Sequence, residues 1–251
     1  MFCRWRGSSR GGVLTTSTEA RSGAQAGRSH RRFEPWYRLA EFIVLPPLKL
    51  WFNWHFEGVE RVPAEGPLIL ASNHLSYFDA FALTYFVLDC GRRPRFLAKS
   101  ELFKNFFLRT ILHGAGQIPV ERGTGDPAPL AHAARELAQG EVVVVFPEGT
   151  TNQRPDFSLQ PAKTGTARLS FATGVPVTPM AIWGPHRVWK HGNIIPAFAR
   201  PMWVKIGEPL DLSEHAGGED SNTLRMVTDE IMDAIAILLE EVKADYPERW
   251  K

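Results

Sequence analysis

The chain has 251 residues, 44% of them hydrophobic and 22% charged. That is ordinary for a globular protein with an ample core, as one large α/β domain or two small ones. Two cysteines, Cys3 and Cys90, do not make a disulfide framework, and the eight histidines show neither zinc spacing nor an HExxH pattern, so no metal is expected. The net charge of +2 is uneven: residues 1–38 hold eight arginines against two glutamates, +6, which leaves −4 on the rest.

Residues 1–33 are rich in Gly, Ser, Thr and Arg and have no sustained apolar period, which predicts a disordered basic arm. The arm lacks the apolar stretch of a secretory signal, and its glycines argue against a transit-peptide helix. It reads either as a solvated tail or as an arm drawn to anionic lipid or nucleic acid. The acidic remainder of the chain argues against a nucleic-acid partner.

Residues 34–57 turn sharply apolar and aromatic, with Trp36, Tyr37, Phe42, Trp51, Trp54 and Phe56. Arg38, Glu41 and Lys49 interrupt the run and Pro46-Pro47 break it, so it is not a spanning helix. The pattern predicts an amphipathic element of two short helices, one face on the protein or at the water–lipid boundary.

Pro67 to Ala71 reads as a buried strand and Ala80 to Leu88 as a helix. Between them lies Ser72-Asn73-His74-Leu75-Ser76-Tyr77-Phe78-Asp79. His74 therefore sits at a strand's carboxyl end, where open α/β sheets place their ligands. Asp79, five residues on, falls in the first helical turn, within reach of one imidazole nitrogen. A capping box of Ser76 and Asp79 explains the same letters.

Arg92 to Arg95 reads as a basic loop leading to a strand and then Lys99. Leu102 to Leu112 is a helix with a strongly apolar face, suited to lipid or to a core. Gly114 to Arg122 combines a glycine turn, a short strand and a cation. Asp126-Pro127 starts a helix that Gly140 ends. Four consecutive valines in Glu141 to Phe146 mark a strand buried on both faces, as in the middle of a parallel sheet. It delivers Pro147-Glu148-Gly149-Thr150-Thr151-Asn152, a second candidate active-site loop. Lys163 to Thr173 is a helix closed by Gly174. The prolines of the Val175 to Ile182 strand predict an edge or a bulge. Trp203 to Ile206 is the last strand. Ser221 to Val242 is an amphipathic helix with Leu224, Val227, Ile231, Ile235, Leu238 and Val242 on one face. No Gly-rich phosphate loop is present.

Together these stretches resemble the phospholipid and lysophospholipid acyltransferase family, which includes the 1-acylglycerol-3-phosphate acyltransferases. Four motifs carry the resemblance, in the family's order: Asn73-His74 with Asp79; Gly116 to Arg122; Phe146-Pro147-Glu148-Gly149-Thr150; and Val175 to Pro179. It covers about residues 35 to 245. It implies an α/β fold with a mostly parallel mixed sheet flanked by helices, arranged as a basic arm (1–33), an interfacial two-helix element (34–57) and a catalytic domain (58–251). One departure is visible: Thr151 stands where the family often has Arg, and Arg154 is the nearest cation to take its place.

The reaction so implied moves a fatty acyl chain from a thioester to a hydroxyl of a lysophosphatidic acid-type lipid. A hydroxyl is a poor nucleophile until its proton is taken, and an imidazole neutral near pH 7 suits that task. His74 is then the general base and Asp79 fixes its tautomer, as in a Ser-His-Asp triad. The substrate supplies the nucleophile, so no acyl-enzyme is expected. Arg122 is the first candidate for the acceptor phosphate. Lys99 and Lys163 are second candidates, with a solvated surface lysine the equal alternative for each. By resemblance Glu148, Gly149 and Thr150 line the acceptor site. No cofactor is expected beyond acyl-CoA or acyl carrier protein as co-substrate. The expected place of work is the cytoplasmic face of a membrane, as a peripheral or monotopic protein.

Overall fold

In the computed structural model the described residues are 38, 42, 45–188, 201–215 and 220–248. The basic arm and most of the first expected N-terminal helix lie outside them; Arg38 and Phe42 are helical.

The four valines form β5 (Val142–Val145), buried along its whole length. It pairs in parallel with β2 (Leu68–Ser72) on one side and β3 (Pro94–Lys99) on the other. Around this centre stands a seven-stranded sheet in the order β1-β7-β6-β2-β5-β3-β4, with β1 at Asn53–Glu57, β4 at Ile118–Val120, β6 at Val177–Trp183 and β7 at Pro201–Ile206. Strands β6, β2, β5, β3 and β4 are mutually parallel, so their carboxyl ends share one edge. β7 runs antiparallel to β6, and β1 runs parallel to β7.

Alternation sorts the side chains into two cores. Val142 and Val144 pack with Leu70, Leu83 and Phe86 beneath α1 (Leu45–Trp51) and α2 (Asp79–Asp89). Val143 and Val145 pack on the other face with Ile69, beneath α4 (Ala128–Ala138), α5 (Gly165–Thr173) and α7 (Ser221–Asp245). The apolar stripe of α7 is buried as its spacing predicts, and Asp220 caps that helix by accepting from the N–H groups of Asn222 and Thr223.

Three expectations change. The second N-terminal helix ends at Trp51, and residues 53–57 form a strand instead. Pro46 and Pro47 sit in the first turn of α1, where a missing N–H costs nothing. The chain from Asn53 alternates polar and aromatic, and Lys205 of β7 reaches Glu57 at 2.8 Å, tying β1 into the sheet and holding that carboxyl below its ordinary range by hydrogen bonding.

The proline-bearing strand β6 is interior and wholly buried, not an edge. Pro179 is tolerated because its C=O, and so its missing N–H, faces β7, which ends at Ile206. There Gly207 donates to the Pro179 carbonyl at 2.8 Å, and no ladder acceptor is stranded.

The basic loop is largely internal. Arg92 donates to the carbonyls of Pro63, Gly66 and Gly140. Arg95 lies under the sheet's far end, 3.2 Å from the buried Glu136 and bonded to the Ala115 carbonyl. Gly116, at φ +65°, turns directly above it: a Cβ there would come within 2.3 Å of the guanidinium. Gly116→Ala is expected to cost about 1–3 kcal/mol from the left-handed backbone alone, read as a lower urea midpoint with an unchanged m-value.

Candidate active site

Strand β2 ends at Ser72, and the next two residues leave the sheet without leaving its core. The Asn73 side chain donates to the Ile182 carbonyl at 3.0 Å and accepts from the Ile182 N–H at 2.8 Å, so it continues the ladder between β2 and β6 where the backbone no longer can. His74 follows. Its N–H donates to Glu148 Oε1 at 2.9 Å, and its carbonyl accepts from the Asn152 N–H at 2.6 Å.

The turn back into α2 is made by Asp79. Its Oδ2 accepts from the N–H groups of Leu75 and Ser76, at 2.6 and 2.9 Å, and lies 2.9 Å from His74 Nδ1. Ser76 Oγ accepts from the Phe78 N–H. The turn into the helix and the His–Asp pair thus share one acceptor oxygen. Asp79 is fully buried and its Oδ1 has no hydrogen-bond partner in the structure. A carboxylate only accepts, so the proton between them sits on Nδ1, and Nε2 is left with its lone pair. The imidazole stacks on Phe146, with centroids 4.0 Å apart and planes 15° from parallel.

Glu148 closes the loop from β5. It is 3% exposed. Oε1 takes the His74 N–H, while Oε2 accepts from the Gln160 N–H at 3.0 Å and lies 3.4 Å from the side-chain nitrogens of Asn152 and Gln160. Gly149 follows at φ +69°, and a Cβ on it would press to 3.2 Å against the stem of Lys163. The Lys163 N–H in turn donates to the Pro147 carbonyl.

The sequence model of the acyltransferase family matches residues 53–183, from β1 to the end of β6. The chain belongs to the acyltransferase family. A 1-acyl-sn-glycerol-3-phosphate acyltransferase of Bacillus subtilis is 27% identical to it over 173 residues, covering 68% of this chain and 80% of that one. An uncharacterised protein of Mycobacterium tuberculosis is 29% identical, with 92% of this chain and 77% of that one covered. The crystal structure of the 1-acyl-sn-glycerophosphate acyltransferase of Thermotoga maritima superposes with a TM-score of 0.62 at 27% identity, covering 86% of this chain and 80% of that one.

Within this acyltransferase, His74, Asp79, Glu148, Gly149, Thr150 and Lys163 come together where β2 and β5 end. Two of the cations singled out in the sequence stand apart. Lys99, at the end of β3, pairs with Glu101 at 3.2 Å. Arg122 is exposed in the turn after β4, three strands from β2, or about 14 Å at ordinary strand spacing. Arg154 is tied to its own loop, through Ser158 Oγ and the Leu159 carbonyl. Asn73, Asn152 and Gln160 are polar residues of the site that had no role in the sequence reading. Asn73 lay inside a quoted motif and Asn152 inside the candidate loop after β5, whereas Gln160 carries no local signal.

Asn73→Ala strands a buried N–H and a buried C=O of Ile182. The expected loss is about 1–3 kcal/mol of stability, read by denaturant titration, with Asn73→Asp no better because it cannot donate.

Proposed function

We propose that this acyltransferase moves a fatty acyl group from a thioester, acyl-CoA or acyl carrier protein, to the free hydroxyl of a lysophosphatidic acid-type acceptor, yielding phosphatidic acid. One observation carries the reading: a buried His74 whose Nδ1 lies 2.9 Å from Asp79, at the carboxyl edge of a parallel sheet. The names of the Bacillus and Thermotoga relatives support the acceptor class.

In the proposed step His74 Nε2 takes the hydroxyl proton as the acceptor oxygen attacks the thioester carbonyl carbon. The Asp79 carboxylate stabilises the imidazolium that forms. Collapse of the tetrahedral intermediate breaks the C–S bond, and the leaving thiolate takes the proton back from His74. The acceptor supplies the nucleophile, so no bond to the enzyme forms.

Charge apportions the remaining roles. Both carboxylate oxygens of Glu148 are engaged by protein donors, and a carboxylate repels a phosphate. We therefore assign Glu148 to holding the His74 backbone, beside the acceptor rather than gripping it. Lys163, drawn over Gly149, and Arg122, exposed across the edge, are the cations assigned to the phosphate. Lys99 has Glu101 as its partner and is the weaker choice. No helix among the described residues is long and apolar enough to cross a membrane. The acceptor is nonetheless a lipid, and we place the enzyme at a membrane surface.

His74→Ala is expected to lower turnover of the thioester roughly 10²- to 10⁴-fold with an unchanged melting profile; activity like the wild type sinks the mechanism. Arg122→Ala is expected to raise KM for lysophosphatidic acid and to leave KM for a phosphate-free monoacylglycerol alone. An equal rise for both acceptors removes Arg122 from the phosphate site.

A further inference from the structure

The chain between β3 and β4 makes an excursion with an unusual surface. It leaves the sheet at Lys99, passes through a 3₁₀ turn (Ser100–Lys104) and α3 (Phe106–Gly114), and returns to pair Ile118 with Leu97. It therefore departs from the carboxyl edge of the parallel strands, the edge that holds His74, and returns beside the start of β3, where Gln117 bonds the Phe96 N–H and Ala115 accepts from Arg95. α3 buries none of its residues. Phe106 is 75% exposed and Phe107 77%, with Leu102, Leu108 and Ile111 exposed beside them. The Asn105 side chain caps the helix by accepting from the N–H groups of Phe107 and Leu108. A cap alone is thin support for a nine-residue helix, which is marginal in water without a surface to pack on.

Isolated apolar side chains on a surface are normal; their concentration is not. β1 starts at the same edge, because Asn53 pairs with Pro201, beyond the last residue of β6. Leu50 and Trp51 just before β1 are exposed there, and so are Tyr77 and Phe81 just after β2. Among the described residues, the only other exposed large apolar side chains are Phe42, upstream of α1, and Met226 and Ile237 of α7.

Charge names the occupant. Lys104 and Arg109 are exposed among the phenylalanines, Glu101 is engaged by Lys99, and no acidic residue occurs from 102 to 120. We propose that the 100–114 excursion is an interfacial anchor that inserts Phe106 and Phe107 into a bilayer with anionic head groups. Lys104 and Arg109 lie at the phosphate level, and the edge bearing His74 faces the lipid. A second copy of the chain is disfavoured, because a twofold contact would set these cations against themselves. The inference rests on the lipid-acceptor reading only for why such a surface lies beside His74.

The test is sedimentation of the full chain with vesicles of phosphatidylcholine alone and of phosphatidylcholine mixed equally with phosphatidylglycerol. Phe106→Ser/Phe107→Ser is expected to weaken partition to both by about tenfold or more. Lys104→Gln/Arg109→Gln is expected to weaken it about tenfold on the mixed vesicles only. Met226→Ser/Ile237→Ser is expected to change nothing, and α3 variants should melt like the wild type because α3 buries no residue. Wild-type partition by the phenylalanine variant overturns the proposal. So does a wild-type dimer that falls to monomer in that variant while vesicle binding stands, which assigns the face to a second copy. Turnover of a detergent-dispersed acceptor should be equal in wild type and variant. A wild type that turns over no thioester strikes the functional reading and leaves the partition measurement to judge the anchor.

Discussion

One oxygen atom organises the acyltransferase site. Asp79 Oδ2 gathers the N–H groups of Leu75 and Ser76 and the Nδ1 of His74, all within 2.9 Å, in a place with no access to solvent. Two of those contacts hold the turn that leads into the helix, and a carboxylate in the first helical turn suits the positive end of the helix dipole. The third orients an imidazole. A carboxylate that serves the backbone is already immobile, so it costs no further ordering when it serves the histidine. Fold and chemistry therefore share one anchor, and loss of Asp79 removes the support of both.

The sheet makes that anchor possible. Five parallel strands bring their carboxyl ends to one edge, and the two central ones, β2 and β5, deliver His74 and Glu148 side by side. Beyond the last ladder pair, side chains take over the backbone's role. Asn73 bridges to Ile182, and Glu148 bridges His74 to Gln160. Phe146 supplies a flat floor under the imidazole. Each of these is a buried polar or aromatic contact with little freedom to relax, which is how a loop comes to hold a side chain as firmly as a strand would.

Charge is distributed against first expectation. Arg92 and Arg95, which look like a basic surface loop, are spent internally on carbonyls and on Glu136. The apolar surface moves the other way. Aromatic side chains that would fill a core in most α/β proteins stand in the open around the edge of the sheet that carries His74.

Much was legible in the sequence for simple reasons. The valine run of β5, the stripe of α7 and the strand–turn–helix around His74 are local patterns, and they determined the α/β class and the parallel sheet centre; the His74–Asp79 pairing competed with a capping box until the other motifs weighed in. Four motifs in order identified the family. The tertiary structure decided what local patterns leave open. β1 became a strand because β7 offers it an edge, although residues 34–57 read as one aromatic-rich helical element. β6 could be interior despite Pro179 because its neighbour β7 stops one residue short, which no local reading shows. Arg95 is buried because Glu136, 41 positions away, meets it under Gly116. Glu148 is a clamp on His74 because Gln160 and Asn152 fold back over it. Each of these depends on contacts between segments far apart in the chain, and only the folded molecule brings those segments together.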